Sequence, residues 1–185
     1  MSPASFVKRR QAHSPGTNCK SHLFYVKLLA VGSLMNLIAF LVSNKVEFEF
    51  MEKRATHHAA EASAASGVPL NQIVKSIVFT DQEARPLLAV VLADTDVSRH
   101  KLEYCSGSKS VRLASDVVAK AFTGYPTGGI PPVGHKKKIP VYIDRRVMQR
   151  DYVWCGGGAR SKLVKLKSAD IARLTAATIG DLATG

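Results

Sequence analysis

The stretch with the clearest chemical potential is "GYPTGGIPPVGHKKKIPVYID", Gly124 to Asp144. Two glycines, Gly128 and Gly129, stand against two prolines, Pro131 and Pro132, and then come His135, Lys136, Lys137 and Lys138. Glycine permits close backbone approach and positive φ. Proline fixes φ and donates no hydrogen bond. Such a loop is stiff, bare of side chains at one point and rimmed by positive charge. It suits a small group held against backbone while an anionic polymer lies across the rim. A second residue stands out upstream. In "IVKSIVF" the alternation places Ile73, Lys75, Ile77 and Phe79 on one strand face and Val74, Ser76, Val78 and Thr80 on the other. Lysine is seldom buried without a partner. Lys75 is therefore either a snorkelling lysine at a sheet edge or a cation at the mouth of a dry pocket. In the second case it meets a phosphate, carbonyl or carboxylate with little competition from water.

The elements that must position these residues follow from pattern. "VEFEFMEK", Val46 to Lys53, alternates apolar and charged and reads as a half-buried strand. "AAEASAASG" reads as a short helix stopped by Gly67. "QIVKSIVFTD" and "PLLAVVLAD" flank a "DQEARP" turn and make a hairpin. A helix "VSRHKLEYCSG", a strand "SVRLAS" and a helix "SDVVAKAF" with Ser115 as N-cap come next. After the Gly/Pro loop come strands "IPVYID", "DYVWCGG" and "KLVKLK" and a last helix, "SADIARLTAA", expected to be capped by Ser168. Helices are short, strands dominate and no regular β-α-β period appears. The expected class is α+β, with a central mixed, barrel-like sheet and short flanking helices.

Composition sets the outer bounds. The 185 residues are 46% hydrophobic and 22% charged, which suits one globular domain with one core. The net charge of +12 favours an anionic partner over an inert basic surface. Half of that excess falls before Glu47, the first acid, in Lys8, Arg9, Arg10, Lys20, Lys27 and Lys45. The apolar run from Leu23 to Val42 contains Lys27. Its second half reads as a buried helix leading into a strand rather than as a membrane span. The expected division is a basic N-terminal extension, disordered or partly helical, over residues 1–33, and a folded domain over 34–185. An organelle transit peptide remains an alternative for that start. The cysteines Cys19, Cys105 and Cys155 are odd in number and form no C-x-x-C pair, so neither a disulfide framework nor a zinc site is expected.

Three other candidates weigh less. His57 and His58 are adjacent, so they point apart, and no third metal ligand is near. Gly156 to Gly158 reads as a tight turn, since no Walker lysine follows. Cys155 has no matched base, and Asp144 reads as a cap of the next turn.

Taken in order, "GVPLNQIVKSIVF", "PLLAVVLAD", "VRLAS", "GYPTGGIPPVGH", "PVYID" and "GGGARSKLVKL" resemble the YbaK / prolyl-tRNA-synthetase-associated domain family over roughly Leu34 to Leu182. Its members hydrolyse amino acids wrongly attached to tRNA, in several cases tRNA for proline. The resemblance implies a compact α+β fold and neither metal nor cofactor. It implies a catalytic lysine at Lys75, with Gly128 and Gly129 acting beside it. It also implies substrate contacts from His58, Ile130, Pro131, Pro132, Gly156, Gly157 and Gly158. His58 departs from the Ser or Thr of many relatives, which bears on the amino acid admitted. His135 to Lys138 are expected to meet acceptor-stem phosphates. The implied partners are aminoacyl-tRNA and, as a candidate, an aminoacyl-tRNA synthetase, in the cytoplasm with no stable membrane association. The alternative is a non-catalytic tRNA- or synthetase-binding module of the same fold.

Overall fold

The alternation over 73–92 folds as the expected hairpin in the computed structural model, which describes residues 6–7 and 37–184. In chain order the elements are β1 (Phe6–Val7), α1 (Leu37–Ser43), β2 (Glu49–Glu52), α2 (Ala59–Ser66), β3 (Val74–Asp81), β4 (Pro86–Leu92), α3 (Arg99–Ser106), β5 (Val111–Leu113), α4 (Asp116–Thr123), β6 (Val141–Asp144), β7 (Tyr152–Gly156), β8 (Lys162–Lys167), α5 (Ser168–Thr175) and β9 (Thr178–Gly180). They form a five-stranded mixed sheet, ordered β5-β3-β4-β6-β9, and a four-stranded antiparallel sheet, ordered β1-β2-β8-β7. In the mixed sheet β4–β6 and β6–β9 run parallel while β3 pairs antiparallel with both its neighbours. The two sheets join at a parallel bridge between Ile73 and Trp154. The expected α+β class with a mixed sheet and short helices is observed, its strands divided between two sheets.

The main core fills the space between the sheets. Val74, Val78, Leu88 and Val90 meet Val153, Cys155, Val164 and Leu166, with Leu37 and Leu41 of α1 and Ile130 and Val133 of the Gly/Pro loop packed in. A second cluster lies on the opposite face of the hairpin, where Phe79, Leu87, Ala89 and Val91 are covered by Leu102 of α3 and by Leu182 and Ala183. Burial on both faces explains why β4 reads as an unbroken apolar run. Ser115 caps α4 as expected, accepting from the Val118 N–H at 3.4 Å. Ser168 does not cap α5. The helix begins on Ser168 itself after Lys167, and the serine hydroxyl is buried without a partner. Strand β8 runs directly into the helix, which turns that side chain inward. Phe6–Val7 pairs with Phe50 and Met51. The expected character of the rest of the N-terminal extension lies outside the described residues.

Asp144 closes the turn after β6 and also ties down the C-terminal segment. It is 1% exposed. It accepts from the N–H groups of Leu182 (2.8 Å), Ala183 (2.9 Å) and Arg146 (2.9 Å) and from Arg146 Nε (3.1 Å). Burial pushes its carboxyl up, but these four donors outweigh burial and hold it below the usual carboxylate range. A group depressed by folding contributes stability above its unfolded pKa, about 3.9, and loses it as pH falls through the folded value. Asp144→Ala is therefore expected to cost about 3 kcal/mol at pH 7, since buried N–H groups lose their acceptor. Urea unfolding should show the gap from wild type narrowing below about pH 4. A gap that stays constant with pH would contradict the role given to the ionised carboxylate.

Candidate active site

Three backbone segments meet at the Gly/Pro loop with no side chains between them. Gly128 has φ 85, and a Cβ there would lie 3.1 Å from the His57 carbonyl oxygen. A Cβ on Gly129 would lie 2.6 Å from the Ala159 carbonyl carbon, and one on Gly156 would overlap the Ile130 carbonyl. Gly157 is closed off in the same way by Lys162. The Gly158 N–H donates to the Gly129 carbonyl at 2.9 Å, and the Gly129 N–H to Pro126 at 2.9 Å. The Gly128–Gly129 pair and the Gly156–Gly158 turn, expected separately from the sequence, thus lie directly against each other. The Cα side of Gly129 faces Ala159 rather than an open pocket, so this glycine admits backbone instead of substrate. The exposed part of the loop is Gly128. The N–H groups of Gly128 and Ile130 have no acceptor among the described residues.

The loop is locked from below. Ile130, Pro131 and Pro132 are buried. The Tyr125 hydroxyl donates to Gly134 O at 3.0 Å, and burial pushes this phenol up to about 12. His135 turns inward, with Nε2 on the Pro131 carbonyl at 2.8 Å, and burial lowers its pKa although that hydrogen bond opposes the shift. A ring held neutral and used on the loop is a poor phosphate ligand. The exposed cations of this run are thus Lys136, Lys137 and Lys138. Lys136 and Lys137 run along the C-terminal end of α4, their N–H groups donating to Thr123 O and Phe122 O, and Lys137 Nζ sits 4.5 Å from the Phe122 ring centre.

Beside the glycines lies a polar group that the sequence does not single out. Lys53, directly after β2, is only 9% exposed. Its ammonium donates to Thr56 Oγ1 (2.5 Å), Arg160 O (2.6 Å) and Arg54 O (3.3 Å). Burial lowers its pKa, with the charge of Glu61 pulling the other way. Arg160 O also accepts the Thr56 N–H at 3.2 Å, and Arg160 Nε donates to Thr127 O at 2.9 Å. This arrangement fixes the 53–58 segment, the 159–161 turn and the loop relative to one another. His58 stands at the N-cap position of α2 without a side-chain cap bond, and both His57 and His58 are exposed. The sequence signal for Lys53 was misleading, because it falls on the glutamate side of the β2 alternation, which reads as solvent.

Lys75 Nζ is paired with Asp96 Oδ1 at 2.7 Å, with the lysine side chain 22% exposed and the aspartate 84%. The hydrogen bond from Lys75, then its charge, lowers the Asp96 carboxyl. No hydrogen bond joins Lys75 to the loop. Its face of β3 begins with Ile73, which packs with Met51, Val68, Trp154 and Leu163. Gly156 lies opposite Leu163, and Leu163 opposite Met51, on one face of the four-stranded sheet. Ile73, two residues before Lys75, and Leu163, opposite Gly156, both belong to this cluster, while Ile77 and Phe79 farther along the lysine's face pack in the second one. Burial pushes the Cys155 thiol far above its usual range, so it is packing rather than nucleophile. Among the described residues no group of three or more His, Cys, Asp or Glu is placed to hold a metal ion, and no helix is long and apolar enough to cross a membrane.

The fold and the site define a two-sheet α+β domain in which a bare-backbone loop closes against a glycine turn and a lysine stands on a neighbouring strand. The model of the aminoacyl-tRNA editing domain matches residues 53–174. The chain belongs to that family. It is 30% identical over 139 residues, 75% of this chain and 84% of the relative, to "Putative Cys-tRNA(Pro)/Cys-tRNA(Cys) deacylase EbsC" of Enterococcus faecalis. It is 34% identical over 132 residues, 69% of this chain, to a proline–tRNA ligase of Desulfovibrio desulfuricans, of whose length it spans 22%. A crystal structure described as "a putative trans-editing enzyme for prolyl tRNA synthetase" superposes with a TM-score of 0.72 and 28% identity, covering 84% of this chain and all of that one. The family reading of the sequence is thus the one these comparisons support.

Proposed function

We propose that this editing domain hydrolyses the ester of mischarged aminoacyl-tRNA, with tRNA for proline as its substrate tRNA and a small amino acid as its cargo. The observation that supports the reading is a bare-backbone loop whose Gly128 and Ile130 N–H groups have no acceptor among the described residues, in a domain where the strand carrying Lys75 is bridged at Ile73 to the glycine-bearing β7. An aminoacyl ester is already activated. Its hydrolysis needs a positioned water and a carbonyl whose developing negative charge is met by fixed donors. The loop is rigid enough to supply such donors. Lys75 can exchange the exposed Asp96 for a substrate oxygen, because a surface ion pair is worth at most about 1 kcal/mol. The neighbouring hydroxyl of the terminal ribose is placed to assist the attacking water. The apolar cluster offers a small side chain a dry surface. The site of action is the cytoplasm, with a prolyl-tRNA synthetase as the natural source of substrate. A panel of tRNAs for proline carrying alanine, cysteine, serine or threonine tests this directly. Release of none of them above the buffer rate would leave the binding-module alternative.

The basic rim carries its own expectation. Replacing Lys136, Lys137 and Lys138 with Ala should raise KM for aminoacyl-tRNA. It should also reduce the slope of log K against log salt by up to about three units, one per lost phosphate contact. Binding titrations at several salt concentrations measure this. An unchanged slope would mean that the lysines only decorate a solvated turn.

A further inference from the structure

We propose that Arg160 recognises a phosphate at the 3′ end of the RNA, so that the site prefers an ester carried on a polynucleotide to one carried on a lone nucleoside. The inference rests on the editing reading and deepens it. Arg160 is held at three points: its carbonyl accepts from Thr56 N–H and Lys53 Nζ, and its Nε donates to Thr127 O. Its side chain is half-buried at the glycine contact. Four arginines are neutralised by carboxylates, Arg85 by Asp81 and Glu83, Arg145 by Asp181, Arg146 by Asp144 and Arg173 by Asp170; among those that are not, Arg160 is the one fixed through its Nε to the Gly/Pro loop. Arg160 has no carboxylate partner, and its two terminal amino groups have no acceptor among the described residues. Glu61, whose charge reaches Lys53, is engaged by the His57 N–H at 3.2 Å.

A guanidinium fixed through Nε and open at both terminal nitrogens is a planar fork aimed by the protein, which suits a phosphate better than a carbonyl. Two further features favour an anion there. Arg54, His57 and His58 are exposed on the adjoining segment. Thr127 Oγ1, on the residue whose carbonyl Arg160 holds, is buried without a partner and has a proton to donate. The ester itself lies over Gly128 and Ile130 in the reading above. The phosphate nearest an aminoacylated terminal adenosine is the one linking it to the preceding nucleotide, so that linkage is the group assigned to Arg160.

The experiment compares Arg160→Gln and Arg160→Lys on three substrates with one amino acid: the ester of adenosine, of a cytidine-adenosine dinucleotide, and of whole tRNA. For Arg160→Gln, kcat/KM should fall roughly tenfold to hundredfold more on the dinucleotide and tRNA than on the adenosine ester, the loss of one charged hydrogen-bonded contact, and mainly through KM. Arg160→Lys should recover only part, since it keeps the charge and loses the fork. An equal loss on all three substrates would show that Arg160 acts only by holding Thr127 and would overturn the proposal, as would wild-type kinetics throughout. Binding of an uncharged RNA oligonucleotide ending in CCA gives a readout without catalysis. Its salt slope should shrink by about 0.7 in Arg160→Gln, and an unchanged slope counts against the contact. Should wild type hydrolyse no ester while this slope still shrinks, the editing reading fails and the phosphate contact stands.

Discussion

Lys75→Ala is expected to lower hydrolysis of mischarged tRNA by roughly 10²-fold, the effect of removing one fixed charge from a developing oxyanion or its phosphate. The fold should hardly notice. The ammonium is bonded to a single side chain, Asp96, which is itself largely in water, and such pairs contribute at most about 1 kcal/mol. Thermal unfolding and single-turnover deacylation, measured on the same preparation, separate these effects. Asp96→Ala is the matched control: it frees the lysine without removing it, so deacylation should be retained or rise. Activity of Lys75→Ala within twofold of wild type would remove the lysine from the mechanism. A parallel collapse in both variants would mean that the ion pair is structural.

Gly129→Ala should fail for a different reason. Its new Cβ would sit 2.6 Å from the carbonyl carbon of Ala159 and 2.9 Å from that carbonyl oxygen. Neither is a flexible side-chain end. The loop or the 159–161 turn has to move, breaking the Gly158 N–H bond to Gly129 O and shifting Arg160. Overpacking of this kind costs about 1–3 kcal/mol and sometimes more, so Tm should drop by roughly 5–10 °C in a chain of this size, with deacylation lost. Gly128→Ala is the informative neighbour. There the positive φ of 85 costs an alanine about 1 kcal/mol and the Cβ lies 3.1 Å from the His57 carbonyl oxygen, so Tm should fall less than in Gly129→Ala. A normal Tm for Gly129→Ala together with lost activity would mean that substrate, not Ala159, occupies that space.

The elements were legible wherever a local pattern decides them. The alternation of β3 and β4, the glycine after α2 and the serine before α4 each fix their own few residues. Ser168 broke the same rule because a strand enters α5 with no intervening loop, so the hydroxyl lands in the interior. The glycines stand out in the sequence, but what they touch does not. Gly129 meets Ala159, and Lys53 meets Arg160 across 107 residues of chain. Charge and spacing along a sequence carry no record of such contacts. A lysine on the polar side of a short strand looks the same whether water or a carbonyl receives its proton. His135 shows the same limit: three following lysines suggest a solvated rim, while the ring reaches back four residues to Pro131.

The direct backbone contact between the loop and the 156–159 turn also bears on how mutational tolerance here should be read. In a survey of all substitutions, Gly129, Gly156 and Gly157 should reject every side chain, since even a methyl group meets main chain at each. Such a profile resembles that of a catalytic residue, yet none of the three needs to touch a reactant. Lys75 and Arg160 should show the opposite profile, with many replacements compatible with folding and few with efficient hydrolysis of aminoacyl-tRNA. Expression yield read beside activity sorts the two groups, and only the second is expected to touch substrate.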